Sequence, residues 1–266
     1  MFLESASVEE VQDHGRPGAF PFKRIKSQDH SPNARSPHEP GTREHKVWYL
    51  QRSKMFERAT EQTIGKVEDL FTETFRPAGT VLFEEGDVGR LVYLVKTGKV
   101  RISRRNAQGV DSTIVILGQR DIFGEEIAFA DSSRSITAST IEDSIICTAR
   151  AEDVYGLFVR HPLVAINVAK YISEQRNQAF AIIQDLATLS SAERIEQLLN
   201  RLAQDFGIES DEGTLIDIRL THADLARLVG TTRETVTLTL GKLMADRHIE
   251  RHGRRFFIRK EKRTAV

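Results

Sequence analysis

The chain has 266 residues, enough for one large domain or two small ones with a core in each. Its single cysteine excludes a disulfide framework within the chain, a four-cysteine zinc site and a cysteine-ligated iron–sulfur cluster. The formal net charge is zero, yet the stretch from Arg219 to Arg263 holds twelve Lys/Arg against five Asp/Glu, so a basic tail sits on an otherwise acidic protein. Attraction to phosphate needs a local patch rather than a basic average, so this tail points to nucleic acid. No apolar run approaches the ~18–20 residues of a membrane span, and the N-terminus lacks a signal-peptide core, so no membrane contact and a cytoplasmic location are expected.

Residues 1–46 carry five of the seven prolines, four of the eight histidines and few apolar side chains, and are expected to form a disordered arm. Their histidines are spaced too irregularly for a metal site, and no metal is expected elsewhere. A helix is predicted over 47–70, weakened at Gly65, with Trp48, Leu50, Met55, Phe56, Ile64 and Val67 on its apolar face.

From 74 to 148 glycines recur about every ten residues. Between them lie β-rich segments at 80–83, 91–96, 100–105, 112–117, 135–140 and 144–149. Short strands with this punctuation predict a small antiparallel barrel or roll. Within it, Phe123-Gly124-Glu125-Glu126-Ile127 is followed by Arg134-Ser135. A glycine before a short helical turn presents backbone N–H groups to an anion. Arg134 can return to pair with a phosphate, and Ser135 can add a hydroxyl. Glu125 would repel a phosphate unless it accepts hydrogen bonds from a sugar, so the combination suggests a sugar phosphate; a structural Glu–Arg pair is the alternative.

A long helix is predicted over 165–189. Ala165, Val168, Ile172, Gln175, Ala179, Ile182, Leu186 and Leu189 follow a 3.5-residue repeat, which favours a partner helix. Phe180 and Ile183 widen this stripe on one side, which would let the helix pack on its own domain while the seam faces a second subunit. A next helix opens with a capping box at Ser190 and Glu193 and ends at Gly207; an acidic loop and a strand over 214–220 follow. Thr221 with Asp224, and Thr231 with Glu234, then mark two capped helix starts ten residues apart with Gly230 between them, the spacing of a helix-turn-helix. Val236, Leu240 and Leu243 would pack inward. Arg233, Glu234, Thr237 and Leu238 would face the major groove, where Arg233 suits guanine and Glu234 a cytosine amino group. Residues 249–258 read as a wing, with Arg254 and Arg255 near its tip for phosphate and Phe256 and Ile258 turned inward. Thr221 and Thr232 complete the set of candidate DNA contacts.

The run from Phe75 to Asp87, then Leu91–Val95 and Gly98-Lys99-Val100, resembles the opening of a cyclic-nucleotide-binding domain. Phe123-Gly124-Glu125 with Arg134-Ser135 resembles its phosphate-binding cassette. With the long helix and the C-terminal reader, residues 71–259 resemble the Crp–Fnr family of bacterial transcription regulators. The resemblance implies an α+β chain: a cyclic-nucleotide-binding-type β-roll at 47–160, a dimerisation helix at 161–189 and a winged helix-turn-helix at 190–263. It implies that Gly124 offers backbone contact, Glu125 holds the ribose 2′-hydroxyl, and Arg134 and Ser135 hold the cyclic phosphate of cyclic AMP or a related nucleotide. It also implies a homodimer on palindromic promoter DNA, in contact with RNA polymerase.

The departures are specific. Ile127 and Ile136 stand where the family has smaller residues, and both would add bulk by the phosphate. In a cyclic-AMP-binding member of the family a Thr-Ser pair on the long helix contacts adenine; counting forward without gaps, those positions fall on Ala179 and Phe180, which have no polar side-chain atoms. Leu238 replaces a common second arginine, which puts one guanine of the TGTGA half-site in doubt. Two alternatives remain. A ligand-independent or haem-sensing regulator of the same fold is one, although no histidine falls between Leu50 and Arg160. A nucleotide-hydrolysing enzyme is the other, and it lacks a His/Asp cluster or an activated nucleophile in the roll, so no catalytic residue is expected.

Overall fold

The structure is a computed structural model, and it describes residues 43–105, 109, 111–129 and 133–260. The arm expected over 1–46 lies outside these residues except at its end, where α1 (Arg43–Arg52) begins before the predicted boundary. The helix expected over 47–70 is corrected. It is four short pieces: α1, a 3-10 turn at Lys54–Phe56, α2 (Glu61–Gly65) and a second 3-10 turn at Glu68–Leu70. The break comes well before Gly65. Ser53 donates its hydroxyl to the Leu50 carbonyl at 2.7 Å, Arg58 takes a left-handed φ of 62°, and Thr60 caps α2 by accepting from the Thr63 amide. The apolar face is nevertheless buried, with Leu50, Met55, Phe56 and Ile64 fully covered.

Eight strands build the roll: β1 (Thr72–Arg76), β2 (Val81–Phe83), β3 (Leu91–Thr97), β4 (Val100–Arg105), β5 (Asp111–Leu117), β6 (Ile122–Phe123), β7 (Thr137–Thr140) and β8 (Ser144–Arg150). They form two antiparallel four-stranded sheets, ordered β1-β8-β3-β6 and β2-β7-β4-β5. Strand β3 shows why its sequence is apolar on both faces. Tyr93 and Val95 join Phe83, Val100, Phe123 and Ala138 inside the roll, whereas Val92 and Leu94 face a second core of N-terminal helices. That second core includes Val154 and Leu157 of α3 (Ala151–Arg160) and Val164 and Val168 of α4 (Pro162–Thr188).

Proline stands at the first turn of α4, where its missing N–H costs nothing. The first third of this helix is fastened to the roll. Asn167 donates to the carbonyls of Met55 and Glu57 at 3.2 and 2.7 Å, and the Tyr171 hydroxyl donates to the Ile122 carbonyl at 3.2 Å. Two expectations for this helix are corrected. Val168, assigned to the seam, is buried in its own domain, while Phe180 and Ile183, expected to pack on that domain, are each 60% exposed.

The C-terminal unit contains α5 (Ser191–Phe206), β9 (Gly207–Glu209), β10 (Gly213–Ile216), α6 (His222–Val229), α7 (Arg233–Ala245), β11 (Ile249–His252) and β12 (Arg255–Arg259). Its sheet runs β11-β12-β10-β9. Ser190 and Glu193 form the expected capping box, and α5 passes straight into β9 through an extended Gly207. Ile195, Leu199, Leu225, Val236, Leu240 and Phe256 make a core that also takes in Ile116 of β5. Among the described residues no helix is long and apolar enough to cross a membrane.

Candidate nucleic-acid interface and effector pocket

The reader is set by two caps and a glycine. Thr221 Oγ1 accepts from the Asp224 amide at 3.2 Å, and Asp224 Oδ2 accepts from the Thr221 amide at 2.9 Å. Gly230 ends α6 in the left-handed region at φ 69°, which turns the chain into α7. The cap of α7 is Thr232, whose Oγ1 accepts from the Thr235 amide at 3.2 Å. The expected pairing of Thr231 with Glu234 is therefore one residue early. The Thr231 amide is instead used to close the preceding turn onto the Ala226 carbonyl.

Val236, Leu240 and Leu243 are buried, and Arg233, Glu234, Thr237 and Leu238 are exposed. Leu238 is 70% exposed. Thr237 is already engaged: its hydroxyl donates to the Arg233 carbonyl at 2.9 Å and lies 2.8 Å from His222 Nδ1. In the wing, Arg254 is exposed, whereas Arg255 pairs with Asp217 at 2.8 Å. Leu220, Thr221, His222, Ala223, Arg233, Arg251 and Arg254 line a concavity of about 450 Å³ between the two helices and the wing. Sequence reasoning missed His222 and Arg251. Burial, then the Arg251 and Arg233 charges, lowers the His222 pKa and favours its neutral form.

In the roll, Gly124 takes a left-handed φ of 72° between β6 and a 3-10 turn at Glu125–Ala128. Arg134 returns to this turn, as the spacing allows. Its Nη1 donates to the Gly124 carbonyl at 2.9 Å and to Glu126 Oε1 at 3.1 Å, and its Nη2 donates to the Leu91 carbonyl. Its guanidinium carbon lies 4.1 Å from the Phe83 ring centroid and 5.5 Å from that of Tyr93. Glu125 is half-buried. Desolvation by burial and repulsion from Glu126 push its carboxyl up to about 7, against the pull of Arg134. Ser135 is exposed at the rim. Ala179 and Phe180 lie on the exposed stretch of α4, with the Phe180 ring 5.9 Å from Arg176 of the same helix. Ile127 does not crowd the arginine. It is buried with Val92, Leu94 and Leu157 in the helical core, which corrects the expectation that it adds bulk by the phosphate.

Comparison with known proteins places these two sites in a family. The description "Cyclic nucleotide-binding domain" matches residues 73–161, and "Crp-like helix-turn-helix domain" matches 193–263. The "Cyclic AMP receptor protein" of Thermus thermophilus is 31% identical over 194 residues, covering 73% of this chain and 87% of that protein. The "Global nitrogen regulator" of a Synechocystis species is 30% identical over 194 residues, covering 72% and 83%. The solved structure of a c-di-GMP-responsive global regulator from Xanthomonas campestris has a TM-score of 0.65 at 23% identity, covering 75% of this chain and 99% of that one, a likeness of fold alone. Together they show that the chain belongs to the Crp–Fnr family of transcription regulators, with a cyclic-nucleotide-binding domain joined to a Crp-like DNA-binding helix-turn-helix.

Proposed function

We propose that the protein is a homodimeric, non-enzymatic regulator that binds two-fold symmetric promoter DNA through α7 and the wing. The observation that carries this reading is the recognition helix, whose Arg233, Glu234 and Leu238 stand exposed beside a basic concavity shared with the wing. Arg233 donates to guanine, Glu234 accepts from cytosine, and Arg254 meets phosphate. Dimerisation is supported by Ile172, Ile183 and Leu186, apolar side chains left exposed along α4. The roll takes a cyclic nucleotide, with cyclic AMP the leading choice given the name of the Thermus relative. Gly124, Glu125, Arg134 and Ser135 hold its ribose and phosphate, while Ala179 and Phe180 offer the base only apolar contact. The regulator acts in the cytoplasm and meets RNA polymerase at the promoter.

Titration of a selected duplex by fluorescence anisotropy tests the DNA reading. Arg233→Ala is expected to cost roughly 1–3 kcal/mol on the specific site and little on random DNA. Arg254→Ala is expected to weaken both alike and to lower the salt slope by about one charge. Equal losses for Arg233→Ala on specific and random DNA would remove α7 from base reading.

A further inference from the structure

Arg134 is only 2% exposed, and an arginine is almost never buried unless it is paired. Two glycines make room for it. A Cβ on Gly89 would lie 2.5 Å from Arg134 Nε, and one on Gly124 would lie 2.6 Å from Nη1. The aromatic rings of Phe83 and Tyr93 flank the cation. Its Nε is buried without a hydrogen-bond acceptor among the described residues, so the seat is not fully satisfied.

The partner that neutralises the cation is Glu126. The Arg134 side chain is 1% exposed and that of Glu126 is 33% exposed, so the carboxylate reaches the buried cation from the solvent side. A cyclic phosphodiester carries one negative charge, the same as this carboxylate. Exchanging one for the other keeps the buried guanidinium paired, whereas binding phosphate beside Glu126 would crowd two anions on one cation. Glu125 is a poor substitute partner, because burial keeps it partly protonated near neutrality.

We propose that Glu126 is a built-in counter-ion that competes with a cyclic phosphate for Arg134 and must leave when a cyclic nucleotide binds, so that it sets the effector threshold. The inference rests on the cyclic-nucleotide reading of the roll. An occupied seat lowers apparent affinity by the fraction of time it is blocked, so removing the charge tightens binding.

The test is calorimetry of the full-length protein with cyclic AMP, and separately with cyclic GMP, for wild type, Glu126→Gln and Glu126→Asp. The Gln variant is expected to bind at least one nucleotide about tenfold more tightly than wild type. The Asp variant, charged but shorter, should fall between them. It serves as the folding-safe comparison if the Gln variant melts early. Unchanged or weaker affinity in a variant that melts like wild type overturns the proposal but leaves the nucleotide reading intact. Absence of binding in all three proteins overturns both. Anisotropy with DNA, run without nucleotide on the same samples, shows separately whether the DNA-binding reading stands.

Discussion

Glu125 and Glu126 are neighbours in sequence with opposite surroundings. Glu125 is half-buried, with its carboxyl pushed up to about 7, and Glu126 is paired with Arg134. The folded state holds the Glu125 proton more tightly than the unfolded chain, where an ordinary Glu titrates near 4.5. Between those values the folded protein is protonated and the unfolded chain is not, so stability falls as pH rises from about 4.5 to about 7 and is flat above. Glu125→Gln is therefore expected to raise the melting temperature at pH 8, by at most roughly 3–4 kcal/mol of stability, and to change it little at pH 4.5. An equal shift at both pH values would remove burial of the charge as the cause. The spacing of Gly124, Glu125 and Arg134 was readable because a turn followed by a returning strand needs few residues. Which glutamate meets the arginine, and where Ile127 points, was not. A four-residue 3-10 turn sends adjacent side chains in different directions, and no periodicity reports that.

Helix α4 carried a readable 3.5-residue repeat, yet the repeat could not say where one use of the helix ends and another begins. Val164, Asn167, Val168 and Tyr171 are buried in the protein's own core, and Ile172, Phe180, Ile183 and Leu186 are exposed. Leu186→Glu is a surface change in the protomer, so folding should survive while the proposed dimer is lost, at several kcal/mol for an unpaired charge in an apolar interface. Sedimentation at micromolar concentration checks this; dimers that persist would move the interface elsewhere. In the reader, Thr231 and Thr232 both fit a capping signature, and only tertiary geometry chooses between them. Gly230 turns the chain so that the Thr231 amide is spent on the Ala226 carbonyl, and the helix starts one residue later. The inward set Val236, Leu240 and Leu243 was readable because helical spacing alone determines it.

The molecule as a whole joins its roll and its helix-turn-helix unit through contacts that no local pattern announces. Ile116 lies on a roll strand, where Leu117 faces the roll interior, and an alternating strand would be expected to turn Ile116 toward solvent. Instead it is buried in the core of α5, α6 and α7. Nearby, a Cβ on Gly118 would come within 2.7 Å of the Phe206 ring, and Lys99 Nζ lies 5.8 Å from that ring's centroid. Ile116→Ala is expected to cost roughly 2–4 kcal/mol and to split the calorimetric unfolding into separate transitions of the roll and the helix-turn-helix unit. A single unshifted transition would mean that this contact does not couple the two units.

Selection of binding sites from random duplex DNA, with wild type and Leu238→Arg in parallel, tests base reading by α7 most directly. Leu238 cannot donate to guanine but can touch a thymine methyl. The expected result is a two-fold symmetric consensus that departs from TGTGA at the base pair facing Leu238, with A·T or T·A there, and a shift to G·C in the variant. A wild-type consensus that keeps a strong G·C pair at that step, or one that the substitution leaves unchanged, would contradict it.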